Sequence, residues 1–369
     1  MIPFSTHRRF ATLAVVTGVL TVTACGGGSD IGDDAVALDP GADLSQQSIV
    51  VSNWADYMPS DMADKFKAET GASMKVTNHA TNEDLVAKVA AAGGSGLDVI
   101  FASQPYLEQF AEQGLLEPLD PNYVKNLGNL DDQAAKVADS KGTTYWAPYT
   151  WGTTGICYRS DLVDKVPTSW NDLLSPSAAN KGKVTMMATP RWAMLPAQKS
   201  LGQSVNSKDE PELKKAKDVL IKAKSGLLAY DDTTFYTRLV SGEATMVQAW
   251  DGWCNYGITD NDKIDFVVPE EGSDLWIDGM AVLKTSKNKE AAESFINLIL
   301  EPENHAWVEE NILYNIPNEA ARKLVPTEIT DQYPLLGSRR EETLKGENMT
   351  NIGEAESVLN QLVAEVTAS

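Results

Sequence analysis

Short runs of apolar residues alternate with amphipathic segments along most of the chain. Apolar or β-branched runs of strand length occupy residues 49–52, 74–77 and 99–102, and the segments between them carry apolar residues at helical spacing. From residue 145 the alternation restarts, with predicted strands at 155–158, 184–188, 245–249, 266–268 and 280–283. Strands that alternate with helices predict an α/β protein with a parallel or mixed sheet. Ligands of such sheets bind beyond the carboxyl ends of the strands, where the loops begin at Asn53 and Ser103.

Capping residues mark the ends of the first helices. Ser60 and Asn82 are the expected N-caps of two helices, and Gly71 and the Gly93-Gly94 pair are the expected stops. These signals divide the region from residue 49 to residue 102 into a β-α-β-α-β succession.

The first 48 residues have the pattern of an export signal followed by a linker. His7, Arg8 and Arg9 precede an apolar run at 10–20 that is too short to span a bilayer. Val22-Thr23-Ala24-Cys25 then matches a bacterial lipobox, with a plain signal peptide as the alternative. We therefore expect a lipoprotein signal peptide at 1–24, a lipid on Cys25 and a flexible acidic tether over 25–48. The protein would be exported and anchored to the outer face of the cytoplasmic membrane, or periplasmic.

The charge balance excludes one class of partner. The 369 residues include 31 Lys and Arg against 52 Asp and Glu, a formal net charge of −21. Such a chain repels phosphate backbones, so we expect no nucleic-acid partner. No run of 18 apolar residues follows the signal, so the lipid would be the only attachment to the membrane.

The reactive groups argue against an enzyme. His79 and His305 have no Cys or His neighbour at metal-ligand spacing, and the sequence has no phosphate-binding glycine motif and no nucleophile-elbow serine. We therefore expect no catalytic residue, no metal and no cofactor. The class of function that is left is binding.

Cysteine usage fits an exported protein. With Cys25 lipidated, only Cys157 and Cys254 remain. An even pair in an oxidising compartment favours one disulfide between them, and two buried thiols are the alternative.

Tryptophan recurs beside carboxylates in four short segments. The segments are Trp-Ala-Asp-Tyr at 54–57, Trp-Ala-Pro-Tyr-Thr-Trp at 146–151, Trp-Asp-Gly-Trp at 250–253 and Trp-Ile-Asp at 276–278. An aromatic face attracts a cation by about 0.5–2 kcal/mol, and a nearby carboxylate adds a charge-assisted hydrogen bond. This combination predicts a box for an alkylammonium group. A sugar site is the alternative, since aromatic faces also stack on pyranose rings.

Several motifs together resemble one family. Ser-Asn-Trp-Ala-Asp-Tyr at 52–57, Leu-Asp-Val-Ile at 97–100, Pro-Tyr-Thr-Trp-Gly-Thr-Thr-Gly at 148–155, Trp-Ile-Asp at 276–278, Lys-Asn-Lys-Glu-Ala at 287–291 and Pro-Asn-Glu-Ala-Ala at 317–321 occur in this order. Their order and spacing are similar to those of the spermidine/putrescine-binding proteins of bacterial ABC importers. The resemblance implies a two-lobe periplasmic-binding-protein fold, type II-like, with segments crossing between lobes. It implies a first lobe of 49–149 and 277–322, and a second of 150–276 and 323–369.

The resemblance also implies a set of ligand contacts in the cleft between the lobes. The aromatic clamp falls on Trp54, Tyr57, Trp250 and Trp276, and the amine-binding carboxylate falls on Asp278. Ser103 matches a polar contact of the first lobe, and Asp56 and Asp251 add carboxylates beside the tryptophans. The family's acids after the 184–188 strand are replaced by Thr189-Pro190-Arg191-Trp192. Arg191 is therefore either a contact to the anionic end of a zwitterion or a structural residue of the second lobe.

These features predict a monomeric solute receptor that delivers a polyamine or related small amine to ABC permease subunits. A zwitterionic amine, such as an ω-amino acid or an aminoalkylphosphonate, and a sugar are alternative ligands. A secreted enzyme or adhesin on the same fold is the alternative from a different class.

Overall fold

The computed structural model describes residues 38–368. The predicted signal peptide, the lipid on Cys25 and most of the predicted tether lie outside the described residues. Residues 38–47 were expected in the tether, but they pack against the folded chain. Leu44 is buried, and the Gln47 side chain accepts a hydrogen bond from the Ala291 backbone N–H at 3.1 Å.

A six-stranded mixed sheet, the first sheet, forms from strands that are distant in sequence. Its strands are β1 (Ser48–Asn53), β2 (Ser73–Asn78), β3 (Val99–Ser103), β6 (Trp146–Gly152), β12 (Asp274–Val282) and β13 (Glu347–Asn348). The strand order is β13-β12-β3-β1-β2, and β6 also pairs with β12. β1, β2 and β3 are parallel, whereas β12 runs antiparallel to both β3 and β6.

A five-stranded second sheet has the order β11-β7-β10-β8-β9. Its strands are β7 (Thr154–Arg159), β8 (Val184–Met186), β9 (Ala229–Tyr230), β10 (Met246–Trp250) and β11 (Ile264–Val267). A separate hairpin joins β4 (Asp139–Ser140) and β5 (Thr143–Thr144). The chain crosses from the first sheet to the second between β6 and β7, and it returns between β11 and β12.

Helices connect and cover the strands of both sheets. They are α1 (Met62–Thr70), α2 (Asn82–Ala92), α3 (Gln104–Glu112), α4 (Asp132–Ala138), α5 (Asn171–Leu174), α6 (Pro190–Ser200), α7 (Glu210–Ala223), α8 (Phe235–Ser241), α9 (Asp251–Asp260), α10 (Lys289–Ile299), α11 (Pro302–Asn311), α12 (Glu319–Arg322), α13 (Thr327–Gln332), α14 (Arg340–Thr343) and α15 (Ala355–Ala368). Within residues 38–368, no helix combines the length and the apolarity needed to cross a bilayer.

The expected helix stops are confirmed, but the expected N-caps are not. Gly71 ends α1 at φ 78°, and Gly93 ends α2 at φ 56°, in the left-handed region that glycine tolerates. The N-cap of α1 is Asp61 rather than Ser60. Thr81, not Asn82, caps α2 by accepting a hydrogen bond from the Asp84 backbone N–H at 3.2 Å. Asn82 is thereby left for a different contact, described below.

Two strands depart from the sequence prediction because both of their faces are buried. Every residue of β6 and of β12 is buried. Along β12, Trp276, Met280 and Val282 contribute to one apolar cluster, and the alternate residues Leu275 and Ile277 contribute to another. A strand buried on both faces lacks the alternation of apolar and polar residues that marks a half-buried strand. Trp276 and Asp278 consequently lie on a strand that was predicted to begin only at residue 280.

A disulfide ties α9 to the second sheet. Cys157 of β7 and Cys254 of α9 are bonded, with their Cα atoms 5.8 Å apart. This separation lies within the usual range for a disulfide. The bridge fixes the helix that begins directly after Trp250.

Candidate functional site

A cavity of about 400 Å³ is lined by residues from both sheets and their connecting loops. Its volume lies within the range typical of small-molecule sites. The aromatic residues that line it are Trp54, Tyr57, Trp192, Trp250, Trp253, Trp276 and Tyr314. Two of the lining residues are acidic, Asp232 and Asp278. Among the described residues, no Lys or Arg lines the cavity. The cavity therefore favours a cationic ligand with an apolar body.

Asp278 is held by two hydroxyl donors, one of which is itself bonded to a third side chain. The Ser103 hydroxyl donates a hydrogen bond to Asp278 Oδ1 at 2.7 Å, and the Tyr57 hydroxyl donates one to Oδ2 at 2.8 Å. The Tyr57 oxygen lies 2.8 Å from Thr150 Oγ1, and it accepts the Thr150 proton because its own is given to Asp278. These bonds fix the carboxylate before any ligand arrives, which lowers the entropic cost of binding.

The pairing of β12 explains why these groups meet. Asp278 lies opposite Ser103 of β3 on one side and opposite Thr150 of β6 on the other. The β12–β6 register shifts between Asp278 and Gly279. A Cβ on Gly279 would lie 2.4 Å from the Trp146 ring, so only glycine allows this close approach of the strands.

Asn82 completes the support of Ser103 from the start of α2. Its Nδ2 donates to Ser103 Oγ at 3.1 Å, and its Oδ1 accepts from the Ser103 backbone N–H at 3.0 Å. The residue expected to cap a helix therefore orients the hydroxyl that holds Asp278.

Burial governs the electrostatics of this acid. Asp278 is 8% exposed, and burial raises its pKa to about 6 against the hydrogen bonds from Ser103 and Tyr57, which lower it. Burial also raises the pKa of Tyr57 well above its usual range, and the Asp278 charge adds to this effect. Tyr57 therefore keeps its proton as a donor, and Asp278 is ionised at neutral pH with no cationic partner among residues 38–368.

The aromatic rings form two groups around the cavity. Trp54 and Tyr57 contact each other edge to face at 5.3 Å between ring centroids, and Trp276 and Tyr314 do so at 4.8 Å. Trp192 of α6 and Trp250 of β10 form the second group, also edge to face, with their ring centroids 5.5 Å apart. Edge-to-face packing is a favoured arrangement of aromatic pairs, so these contacts hold the rings in place around the cavity.

Three of the predicted ligand contacts do not line the cavity. Asp56 is exposed in the loop after β1 with φ 56°, and its neighbours Trp54, Ala55 and Tyr57 line the cavity instead. Asp251 and Arg191 are both buried elsewhere, as described next. The predicted contacts that the structure does bring to the cavity are Trp54, Tyr57, Ser103, Trp250, Trp276 and Asp278.

Asp251 is enclosed at the first position of α9. It is 0% exposed, so a ligand in the cavity does not reach it. A Cβ on Gly152 would lie 2.4 Å from Asp251 Oδ1 and 2.3 Å from Trp276 Cζ2, which places the carboxyl beside the buried edge of that indole. Burial raises the pKa of Asp251 well above its usual range, and nearby Asp274 adds to the effect.

Of its two predicted roles, ligand contact or structural residue, Arg191 has the structural one. Its Nη1 donates to Glu356 Oε2 and to the Thr350 carbonyl, both at 3.1 Å. Its Nη2 donates to Asn206 Oδ1 at 3.0 Å and to the Val205 carbonyl at 3.2 Å. The guanidinium is thus occupied by protein acceptors, and it does not present a cation to the cavity.

Comparison with known proteins places the chain in a family. The family model described as bacterial extracellular solute-binding protein matches residues 61–333. The chain belongs to this family. It is 30% identical over 318 residues to the spermidine/putrescine-binding periplasmic protein of Escherichia coli. The alignment covers 86% of this chain and 90% of that protein. The putrescine/cadaverine-binding protein of Pseudomonas aeruginosa is 30% identical over 297 residues, covering 77% of this chain and 83% of the relative.

Solved structures of solute-binding proteins share the fold. A putative spermidine/putrescine ABC transporter protein from Listeria monocytogenes superposes with a TM-score of 0.78 at 28% identity, covering 87% of this chain and 99% of that chain. The expected periplasmic-binding-protein fold and the family resemblance are therefore confirmed. The matched relatives are named as binding or transport proteins and not as enzymes.

Several residues that line this cavity were not found from the sequence. Tyr314 follows Leu313, whose φ of 60° turns the chain, and no motif marked either residue. Trp192 was named only in the segment that replaces the family's acids, but it lines the cavity, and its Nε1 donates to Asp274 Oδ2 at 3.0 Å. Asp232 follows β9, a strand of two residues that is too short to show a periodic pattern.

Proposed function

We propose that this solute-binding protein is the extracytoplasmic receptor of a bacterial ABC importer and that it binds a polyamine such as putrescine or spermidine. The observation that supports this proposal most is Asp278, a buried carboxylate that is oriented by two hydroxyls and surrounded by aromatic rings. A buried ionised acid is costly unless it is paired with a cation. An ammonium group of the ligand supplies that partner.

The aromatic walls suit the rest of a polyamine. Each buried methylene contributes about 0.8 kcal/mol of hydrophobic free energy, and each ring face near an ammonium adds about 0.5–2 kcal/mol. The names of the relatives from Escherichia coli and Pseudomonas aeruginosa support the same ligand class. An anionic ligand is disfavoured because the cavity offers carboxylates and no basic side chain among the described residues.

Calorimetric titration of the purified protein tests the ligand class. We expect saturable binding of putrescine or spermidine, together with a change in tryptophan fluorescence, because several indoles line the cavity. Maltose and γ-aminobutyrate serve as the sugar and zwitterion controls. Saturable binding of maltose alone would overturn the amine proposal, and binding of γ-aminobutyrate without either polyamine would replace it with a zwitterion.

We also propose that Cys25 carries the lipid anchor and that the two sheets form the cores of two lobes, which close on the ligand and present it to permease subunits. The test of anchoring is Cys25→Ala in the producing bacterium. The wild-type protein should fractionate with membranes and the variant should appear in the soluble fraction. Retention of the variant on membranes without detergent would contradict lipidation at Cys25.

A further inference from the structure

From the position of Asp232 we infer that this side chain is a second ammonium-binding carboxylate, so that the cavity is built for a ligand with a cation at each end. This inference rests on the proposed function and specifies its substrate class as a diamine or a longer polyamine. Asp232 follows β9 in the second sheet, whereas Asp278 lies on β12 in the first, and both line the same cavity.

The hydrogen bonds of Asp232 hold its carboxylate without neutralising it. Its Oδ1 accepts from the Ala188 backbone N–H at 2.8 Å, and its Oδ2 accepts from the Thr189 hydroxyl at 3.1 Å. The Thr189 backbone N–H also stabilises the carboxylate. An ionised carboxylate has about four acceptor positions, so at least one of them stays available. Ala188 and Thr189 directly precede α6, and Thr189 lines the cavity.

The preceding residue shows what a purely structural acid looks like in this loop. Asp231 Oδ2 accepts from Arg238 Nε at 2.7 Å, and its Oδ1 accepts from the backbone N–H groups of Thr233 and Thr234. Although burial acts to raise it, these hydrogen bonds hold the pKa of Asp231 well below its usual range. Asp231 is therefore already paired, and it does not line the cavity formed by residues 38–368.

The pKa of Asp232 shifts in the opposite direction from that of Asp231. Burial raises its pKa, and repulsion from Asp231 adds to the effect of burial. Within the described chain, its hydrogen-bond partners are the backbone amides of Ala188 and Thr189 and the Thr189 hydroxyl, all of them neutral. A partly buried carboxylate of this kind gains most from a cation that enters the cavity, and Trp192 and Trp250 line the same cavity.

A comparison of three ligands of similar length isolates this role. Putrescine has an ammonium at each end, n-butylamine has one ammonium and a methyl group, and γ-aminobutyrate has one ammonium and a carboxylate. Each is titrated by calorimetry, with n-butylamine measured in competition with putrescine, against wild type and Asp232→Asn. Asn keeps the shape and can still accept from Ala188. Asp218→Asn, an exposed acid on α7, is the matched control.

We expect Asp232→Asn to weaken putrescine at least tenfold, to leave n-butylamine unchanged and to strengthen γ-aminobutyrate, because a repulsive charge is removed. Opposite signs for two ligands do not arise from misfolding, and the n-butylamine affinity reports an intact site. Equal weakening of putrescine and n-butylamine, or no change in either, would overturn the role of Asp232. If wild type binds neither amine, the proposed function itself fails. If wild type binds putrescine no better than n-butylamine, only the second carboxylate is refuted.

Discussion

The two walls of the cavity differ in how their polar groups are held. The first wall is formed by residues of β3, β12 and the loop after β1, namely Trp54, Tyr57, Ser103, Trp276 and Asp278. The second wall, formed by Thr189, Trp192, Asp232, Trp250 and Trp253, belongs largely to loops and to the first turns of helices. The acid of the first wall lies between two paired strands, whereas the acid of the second wall lies in a loop.

From this difference we expect the first wall to contribute mainly to affinity and the second wall mainly to selectivity. Asp278 is fixed in a buried position by two hydroxyl donors, so we expect its contribution to binding to be large and to apply to every ligand that carries an ammonium group. Asp232 is partly exposed and lies in a loop, so we expect a smaller contribution that depends on the far end of the ligand. The strands would determine that an amine binds, and the loops would determine which amine.

Removal of the Asp278 charge should have the largest effect. Asp278→Asn leaves the ammonium of a bound ligand buried without a full counter-charge, so putrescine affinity should fall by about 2–5 kcal/mol, more than tenfold. Calorimetric titration measures the loss, and the exposed acid change Asp262→Asn should leave affinity unaltered. A smaller loss for Asp278→Asn than for Asp232→Asn would reverse the ranking of the two walls.

Loss of the disulfide should weaken the second wall. Cys254 lies on α9, the helix that carries Trp253 and begins directly after Trp250. The bridge closes a loop of 97 residues, and its removal by Cys157→Ala with Cys254→Ala should lower the free energy of unfolding by about 2–4 kcal/mol. Denaturant titration measures this loss.

The same double variant distinguishes the walls. Its putrescine affinity should fall less than that of Asp278→Asn, because the first wall contains neither cysteine. If the oxidised and the reduced wild-type protein had the same free energy of unfolding, the bridge would not stabilise the fold.

The sequence predicted the first wall better than the second for physical reasons. The parallel strands β1, β2 and β3 appear as compact apolar runs, so the loop at Trp54 and the end of β3 at Ser103 followed from strand pattern and sheet geometry. Asp232 was missed because β9 has two residues. Arg191 was ambiguous because its partner Glu356 lies 165 positions away in the chain. Asp251 follows a tryptophan, which is the pattern expected of a ligand contact. Only its packing against Gly152 and Trp276 reveals that it is enclosed.

Amine binding should weaken in acid because of the first wall. A bound ammonium favours the ionised form of Asp278, whose pKa in the empty site is about 6. Affinity should therefore be constant above pH 7 and fall by up to tenfold for each pH unit below 6. His79, which contacts Trp54, has a pKa lowered to about 4 by burial and by Lys88, so it stays neutral over most of this window.

Titration of putrescine at several pH values from 5 to 8 measures the effect. Asp278→Asn should remove most of the dependence, and Asp232, whose pKa is also raised, should account for the rest. An undiminished dependence in Asp278→Asn would assign the titration to the second wall.

The smallest expected effect is a gain in stability of the empty protein. Burial raises the folded-state pKa of Asp278 to about 6 from 3.8, so the folded protein holds a proton between these values that the unfolded chain releases. Stability therefore falls as pH rises through this window, and above pH 6 the cost of the buried charge is fully present. Asn has no such cost, but it offers one acceptor to the two hydroxyls that Asp278 binds.

The net gain for Asp278→Asn at pH 7 should be about 1 kcal/mol, after the lost hydrogen bond is subtracted from the relieved burial of charge. Thermal unfolding of ligand-free wild type and variant at pH 7 and pH 4 measures it, and the gain should vanish or reverse at pH 4, where wild-type Asp278 is protonated. Asp262→Asn should show no such change between the two pH values. A variant that is equally destabilised at both pH values would mean that the Ser103 and Tyr57 hydroxyls stabilise the ionised acid fully. In that case the empty first wall stores no unfavourable charge for the ligand to relieve.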